Sequence, residues 1–258
     1  MNSSNARLLA SALALIALLF CGLARAGAAD ANQILKAVEK SLDSKDERAT
    51  IKMNVVESDG TSKERDVEIL RKSGSKNEVL VRLKAPSDVS GIALLSVSQN
   101  GSEAQWLYMP SQKKARRVVA GNKSQRFLDT EFNLEDFSAG TYARFDNKTI
   151  KEDRQPSSAV AVIESKARDK ESSYSRIMTW VDLNSYQVQK SEYYDHTGKL
   201  LKTMVFRDYK KYGATWRAQT IEVRNMQTQR STVLHMAGLK LNKGIPDREF
   251  TQSALEED

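Results

Sequence analysis

Cysteine is nearly missing from this chain: of 258 residues only Cys21 is one. Downstream of it, disulfide scaffolds, thiol nucleophiles and cysteine metal sites are excluded. Histidine is almost as scarce, limited to His196 and His235, and no H-E-x-x-H, G-x-S-x-G or paired-histidine spacing occurs. The acidic set Asp129, Glu131, Glu135 and Asp136 is then the remaining candidate for acid–base work or for a cation. It reads more simply as a short helix capped by Asn133, with Glu135 and Asp136 in the favourable first turn. The expectation is a protein that is not an enzyme and needs no cofactor or metal.

Long apolar runs are also few. The single one, LLASALALIALLFCGL, falls short of the roughly 20 residues that a membrane span needs. It follows the charged Arg7 and ends at Ala24-Arg25-Ala26, the three parts of a secretory signal peptide. Residues 1–26 are therefore expected to be removed and 27–258 to form the mature domain. An uncleaved anchor is the competing reading. Lipidation at Cys21 is disfavoured because Phe20 stands where a small residue is wanted. Export into the periplasm leaves the mature chain without cysteine, which a domain large enough to bury its own core tolerates.

Charge of one sign is not in large excess either. The formal charge is +7, and losing Arg7 and Arg25 with the signal leaves +5. Lys and Arg alternate with Asp and Glu along most of the chain instead of concentrating in one stretch. A nucleic-acid partner is not expected. Four prolines and twelve glycines provide no linker, no repeat is seen, and one domain is the simpler reading.

What is present is mostly strand. Asp30 can cap a helix over ANQILKAVEKSLDS, with Ile34, Leu35, Val38 and Leu42 on one stripe. Beyond Lys45 the period drops to two: ATIKMNVVES alternates, and Asp59-Gly60 marks a hairpin turn. RDVEILRK, NEVLVRLKAP, ALLSVSQ, AQWLYMP and ARRVVA follow, then the irregular NKSQRFLDTEFNLEDFSAGTY. Strands resume with TIKED, SAVAVIESKA, YSRIMTWVD, YQVQKSEYYD, KLLKTMVFRDYKKY, TWRAQTIEVRN and STVLHMAGL, and IPDREFTQSALEE offers one or two helical turns. The spacing predicts a mainly β domain, an antiparallel barrel or sandwich with about eleven strands.

The stretch WLYMPSQKKARRVV places aromatics beside cations. Trp106 and Tyr108 share one face of a strand and Leu107 and Met109 the other. Pro110-Ser111-Gln112-Lys113 is turn chemistry, and Arg116-Arg117-Val118-Val119 is the return strand. Lys113, Lys114, Arg116 and Arg117 are then either a solvated hairpin tip or a contact for lipid headgroups or an acidic partner. Many strands with one substantial helix leave a wide concave face to fill. Trp106, Tyr108, Phe127, Phe132, Phe137, Met178, Trp180, Met204, Phe206, Trp216 and Met236 are candidates for it. Each is either ordinary core or the lining of a cavity for acyl chains.

The block QWLYMPSQKKARRVVAGNKSQRFLDTEFNLEDF, with EVLVRLKAPSDVSGIALLSV before it and GLKLNKGIPDREFTQSAL at the end, resembles the LolA-like outer-membrane lipoprotein-sorting proteins. The likeness spans essentially the whole mature chain and departs in FLDTEF, where Asp129 and Glu131 stand in place of the expected Gly and Asp. It implies a single half-open β-barrel with helices over a hydrophobic cavity, and a carrier of lipoprotein or lipid acyl chains through the periplasm. An inner-membrane transporter and an outer-membrane acceptor are the implied partners, and a monomer is expected. Other proteins of this kind sit beside RND-type lipid exporters or act in envelope-stress regulation, so a non-enzymatic interaction protein is the alternative.

Overall fold

The computed structural model describes residues 29–256 except 101, 120–121, 139–140, 156–157 and 169; the signal peptide expected over 1–26 lies outside them. The first helix forms where the apolar period required it. Asp30 accepts a hydrogen bond from the Asn32 N–H at 2.8 Å, and α1 (Ala31–Ser41) buries Ala31, Ile34, Leu35 and Val38. Among the described residues no helix is long and apolar enough to cross a membrane.

The strands are β1 (Asp46–Val56), β2 (Ser62–Lys72), β3 (Asn77–Ala85), β4 (Ala93–Gln99), β5 (Ser102–Met109) and β6 (Lys114–Arg117). After a long insert come β7 (Phe145–Gln155), β8 (Ser158–Ala167), β9 (Arg176–Asp182), β10 (Val188–Tyr194) and β11 (Leu200–Arg207). The chain ends with β12 (Lys210–Tyr212), β13 (Thr215–Arg217), β14 (Thr220–Asn225), β15 (Ser231–Leu241) and a short helix α2 (Gln252–Glu256). Thirteen strands form one antiparallel sheet in the order β6-β5-β4-β3-β2-β1-β15-β14-β11-β10-β9-β8-β7, and β12 pairs only with β13.

Two expectations need correction. The sheet has thirteen strands instead of about eleven, and it does not close into a barrel: β6 and β7 are free edges that do not pair. These two edges are consecutive strands, so residues 118–144 carry the chain from one rim of the sheet to the other. The segment KLLKTMVFRDYKKY is also not one strand. Asp208 adopts φ +57° and breaks it, and Lys210–Arg217 leaves the sheet as a separate two-stranded hairpin turning at Gly213.

Side-chain alternation divides the sheet into two faces. The inner face holds Ile51, Met53, Val67, Val81, Leu94, Met204, Val223 and Leu234. Its far part, through Ala161, Ile163 and Val181, is covered by α1, and Phe206 packs against both clusters. On the outer face Leu70, Leu80, Ala93, Leu95 and Tyr108 are covered by Ile245, Phe250 and Leu255 of the C-terminal segment. Helical cover is thus shared between the two faces: α1 lies inside, α2 outside.

Candidate functional site

The inner face is filled by the chain itself. Between the two edges of the sheet, Arg126 and Asn133 form an isolated antiparallel bridge, and the Phe127 N–H donates to the Phe132 carbonyl at 2.8 Å. This tight loop projects Phe127, Phe132 and Leu134 into the largest apolar cluster, where all three are buried. Phe137 follows on a short 3-10 turn (Leu134–Phe137). Its ring meets Phe127 edge-on at 5.2 Å and Phe132 at 5.8 Å. Leu128 and Asp129 both have positive φ, +51° and +60°. Asp129 stands where the resemblance led us to expect glycine, which that backbone region favours.

Buried charge anchors this plug. Asp136 accepts from the Asn133 N–H at 2.8 Å, as a residue in the first turn behind an Asn cap should. It also accepts from the Tyr174 hydroxyl at 2.6 Å and from the Lys202 ammonium at 2.5 Å. Lys202 donates further to the Glu131 carbonyl at 2.9 Å and lies 5.1 and 5.2 Å from the ring centres of Tyr174 and Tyr193. Glu131 takes hydrogen bonds from Asn225 at 2.8 Å and Arg230 at 2.9 Å, and Arg230 bonds the Asp129 carbonyl as well. Glu135 is held by Arg144, by the Ser172 hydroxyl at 2.9 Å and by the Ser173 N–H. Burial first, then the neighbouring Asp136 charge, pushes the Tyr174 hydroxyl well above the ordinary phenol value, so it stays a donor. The acidic segment that sequence left open between acid–base chemistry and capping is a structural latch.

The eleven cavity candidates divide by face. Phe127, Phe132, Phe137, Met204, Phe206 and Met236 meet on the inner face. Trp106 and Tyr108 belong to the outer cluster beneath the C-terminal segment, and Leu107 is the residue of β5 that faces inward. Met178 and Trp180 pair across the sheet with Glu192 and Lys190 on the outer face, the Lys190 ammonium lying 4.9 Å from the Trp180 ring centre. Trp216 is on the separate hairpin, beside Lys211. His235 is exposed.

Two hollows open among the described residues. One, of 530 Å³, opens beside Asp43, Lys45, Asp46 and Asn242. The other, of 130 Å³, lies between α1 and the β9–β10 turn, below the roughly 300 Å³ at which ligand pockets begin. None of the eleven candidates lines either of them.

The basic hairpin has the expected turn: Pro110–Gln112 forms a 3-10 turn and Lys113 closes it at φ +48°. Its return strand is Lys114–Arg117, earlier than read from sequence, because Val118 turns onto the inner apolar cluster. Lys113, Lys114, Arg116 and Arg117 are all exposed on the edge of the sheet. Lys202, Tyr174, Arg144, Asn225 and Arg230 were not singled out by sequence reasoning. One signal was available: Lys202 shares the inward parity of Met204 and Phe206 in KLLKTMVF, a place where a lysine must find a carboxylate.

A family model described as "uncharacterized protein" matches residues 75–257, and no curated protein sequence matches. Among solved structures, an outer membrane lipoprotein-sorting protein domain from Vibrio parahaemolyticus is 31% identical. It superposes with a TM-score of 0.81 over 87% of this chain and 97% of that one. A DUF1329 family protein from Desulfovibrio piger (22% identity, TM-score 0.80, 86% and 96% covered) shares the fold. So does a LolA superfamily protein from Nitrosomonas europaea (20%, 0.73, 88% and 100%). With 31% identity to a sorting domain over 87% of this chain and 97% of that one, the chain belongs to the LolA-like family of outer-membrane lipoprotein-sorting proteins.

Proposed function

We propose that the mature chain, from residue 27 onward, is a periplasmic carrier that shields acyl chains of a lipoprotein or lipid on its way to the outer membrane. The observation that carries this reading is the inner apolar face, covered in its far part by α1 and elsewhere by three phenylalanines of the segment that runs between the free edges of the sheet. Magnitudes support an exchange. Burying a phenylalanine is worth about 2–3 kcal/mol, so the three together contribute roughly 6–9 kcal/mol. An acyl chain of about 15 methylenes gains roughly 12 kcal/mol on leaving water. The two are of the same order once the Lys202–Asp136 pair that holds the plug is counted, so cargo and plug can compete for the face. Phe127, Phe132, Phe137, Met204, Phe206 and Met236 are the residues proposed to meet it. Lys113, Lys114, Arg116 and Arg117 at the sheet edge are proposed to meet the cargo headgroup or an acidic face of a membrane partner.

The filled inner face favours a second reading, an envelope interaction protein whose inner face never opens, such as an accessory subunit of a lipid exporter. Lipid extraction of natively purified protein, combined with displacement of a fluorescent acyl probe, separates the two. A carrier holds lipid and binds the probe. An interaction protein does neither and depends on one inner-membrane protein.

A further inference from the structure

The hairpin formed by β12 and β13 stands apart from the sheet. It reads YKKYGATWR from Tyr209 to Arg217, with Lys210, Lys211, Gly213 and Ala214 exposed and Tyr212 and Trp216 half-buried. The Lys210 ammonium lies 5.6 Å from the Tyr212 ring centre and the Lys211 ammonium 5.8 Å from that of Trp216. Alternation puts Lys211 and Trp216, cross-strand partners, on the face opposite Arg217.

Arg217 holds the hairpin rigidly. Its guanidinium donates to Glu47 at 2.7 and 2.9 Å and to the Leu42 carbonyl at 2.8 Å. That last bond ties the hairpin to the C-terminal end of α1. There the Ser41 hydroxyl reaches the Tyr186 carbonyl at 3.4 Å, and the Tyr209 hydroxyl bonds the Val188 carbonyl at 2.7 Å. One end of the molecule thus presents Leu42 (43% exposed) and Tyr186 (38% exposed) beside Lys211 and Trp216. These are two of the five exposed large apolar side chains among the described residues. The exposed cations here are Lys40, Lys45, Lys210 and Lys211; the exposed acids are Glu39, Asp43 and Asp208. Glu47 is neutralised by Arg217.

We infer that this end is a docking surface for an anionic bilayer, with Trp216, Tyr186 and Leu42 seated at headgroup level and Lys210 and Lys211 on lipid phosphates. Trp and Tyr favour that boundary because one end of each ring system is apolar and the other is wet. Lysines extend their stems along such surface and keep the charge in the headgroups. The rigid mount means little ordering is needed on contact. The inference goes beyond lipid carriage and stands whether or not the inner face opens.

The test uses the mature chain with vesicles of phosphatidylethanolamine and phosphatidylglycerol, and with neutral phosphatidylcholine vesicles for comparison. In flotation, Lys210→Ser with Lys211→Ser should weaken anionic binding roughly 10- to 30-fold. Replacing two exposed lysines elsewhere, Lys63→Ser with Lys148→Ser, should leave it within about twofold. A second measurement does not depend on these variants. With Trp106→Phe and Trp180→Phe, Trp216 is the one tryptophan left of the three, and brominated lipid should quench it. Unquenched Trp216, or anionic binding that survives loss of the Lys210 and Lys211 charges, overturns the inference. Loss of acyl-probe binding with vesicle docking intact would instead count against the carrier.

Discussion

Lys202 and Asp136 sit 2.5 Å apart with 2% and 6% of their side chains exposed, an ion pair sealed beneath the plug that covers the inner face. Burial of both charges is costly, and the hydrogen bonds from Tyr174 to the carboxylate and from Lys202 to the Glu131 carbonyl offset that cost. The pair fixes where the plug sits more than it adds stability.

Lys202→Met should therefore leave an uncompensated buried carboxylate and destabilise the fold by about 3–5 kcal/mol. At about 2–4 °C per kcal/mol for a domain of this size, thermal unfolding followed by circular dichroism should show a clear fall in Tm. Adding Asp136→Leu to Lys202→Met should recover much of it, because the unpaired charge is then gone. At a temperature where every variant is folded, the single variant should bind an acyl probe more readily than wild type, its latch being open. A single variant that melts like wild type shows that the pair does not anchor the plug.

The basic hairpin should behave in the opposite way. Its four cations are exposed, and exposed charges contribute at most about 1 kcal/mol each. Replacing Lys113, Lys114, Arg116 and Arg117 by Ser or Gln should barely move Tm while weakening capture of an acidic headgroup or partner in a salt-sensitive manner. A large fall in Tm would assign these side chains to structure.

Asp195 offers a test by pH. Its carboxylate accepts from the Thr197 hydroxyl at 2.7 Å, from Gln227 at 2.9 Å and from the Lys199 N–H at 3.0 Å, and these bonds hold its pKa down at about 2. A depressed folded-state pKa means that the turn is favoured above the ordinary carboxylate range near 4, and that this is lost as pH falls through about 2. Carboxyl NMR should place the Asp195 midpoint near 2, and Thr197→Val should raise it. A midpoint near 4 in wild type contradicts these bonds.

Maturation is read by intact mass. Protein exported from cells should begin near Gly27, as the Ala24-Arg25-Ala26 site requires. A species that keeps residues 1–26, or that carries diacylglycerol on Cys21, contradicts the export reading.

The helix capped by Asp30, the turn at Asp59-Gly60 and the helical end after Ile245 were legible because each depends on neighbours in sequence. So was the likeness carried by the Trp106–Phe137 block. The faces were not. Trp106 and Tyr108 were correctly placed on one side of their strand, but which side is inner depends on strands far away. Irregularities at Thr50/Ile51, Thr149/Lys151 and Tyr193/Tyr194 shift the register along the way. The latch was hidden for a similar reason. Asp136 and Lys202 are 66 residues apart, and only the fold shows that the plug and β11 meet.

The central claim is that acyl chains can occupy the inner face. The most direct measurement is binding of a fluorescent acyl probe to the natively purified mature chain, with lipid extraction and mass spectrometry of the same sample. Lipid should co-purify and the probe should displace it. Phe206→Asp should weaken probe binding, because an unpaired polar group on that face costs on the order of 1–3 kcal/mol, while Trp180→Ser on the outer face should not. If no lipid is extracted, no probe binds and Phe206→Asp changes nothing but stability, the inner face is core and the chain is an interaction protein instead of a carrier.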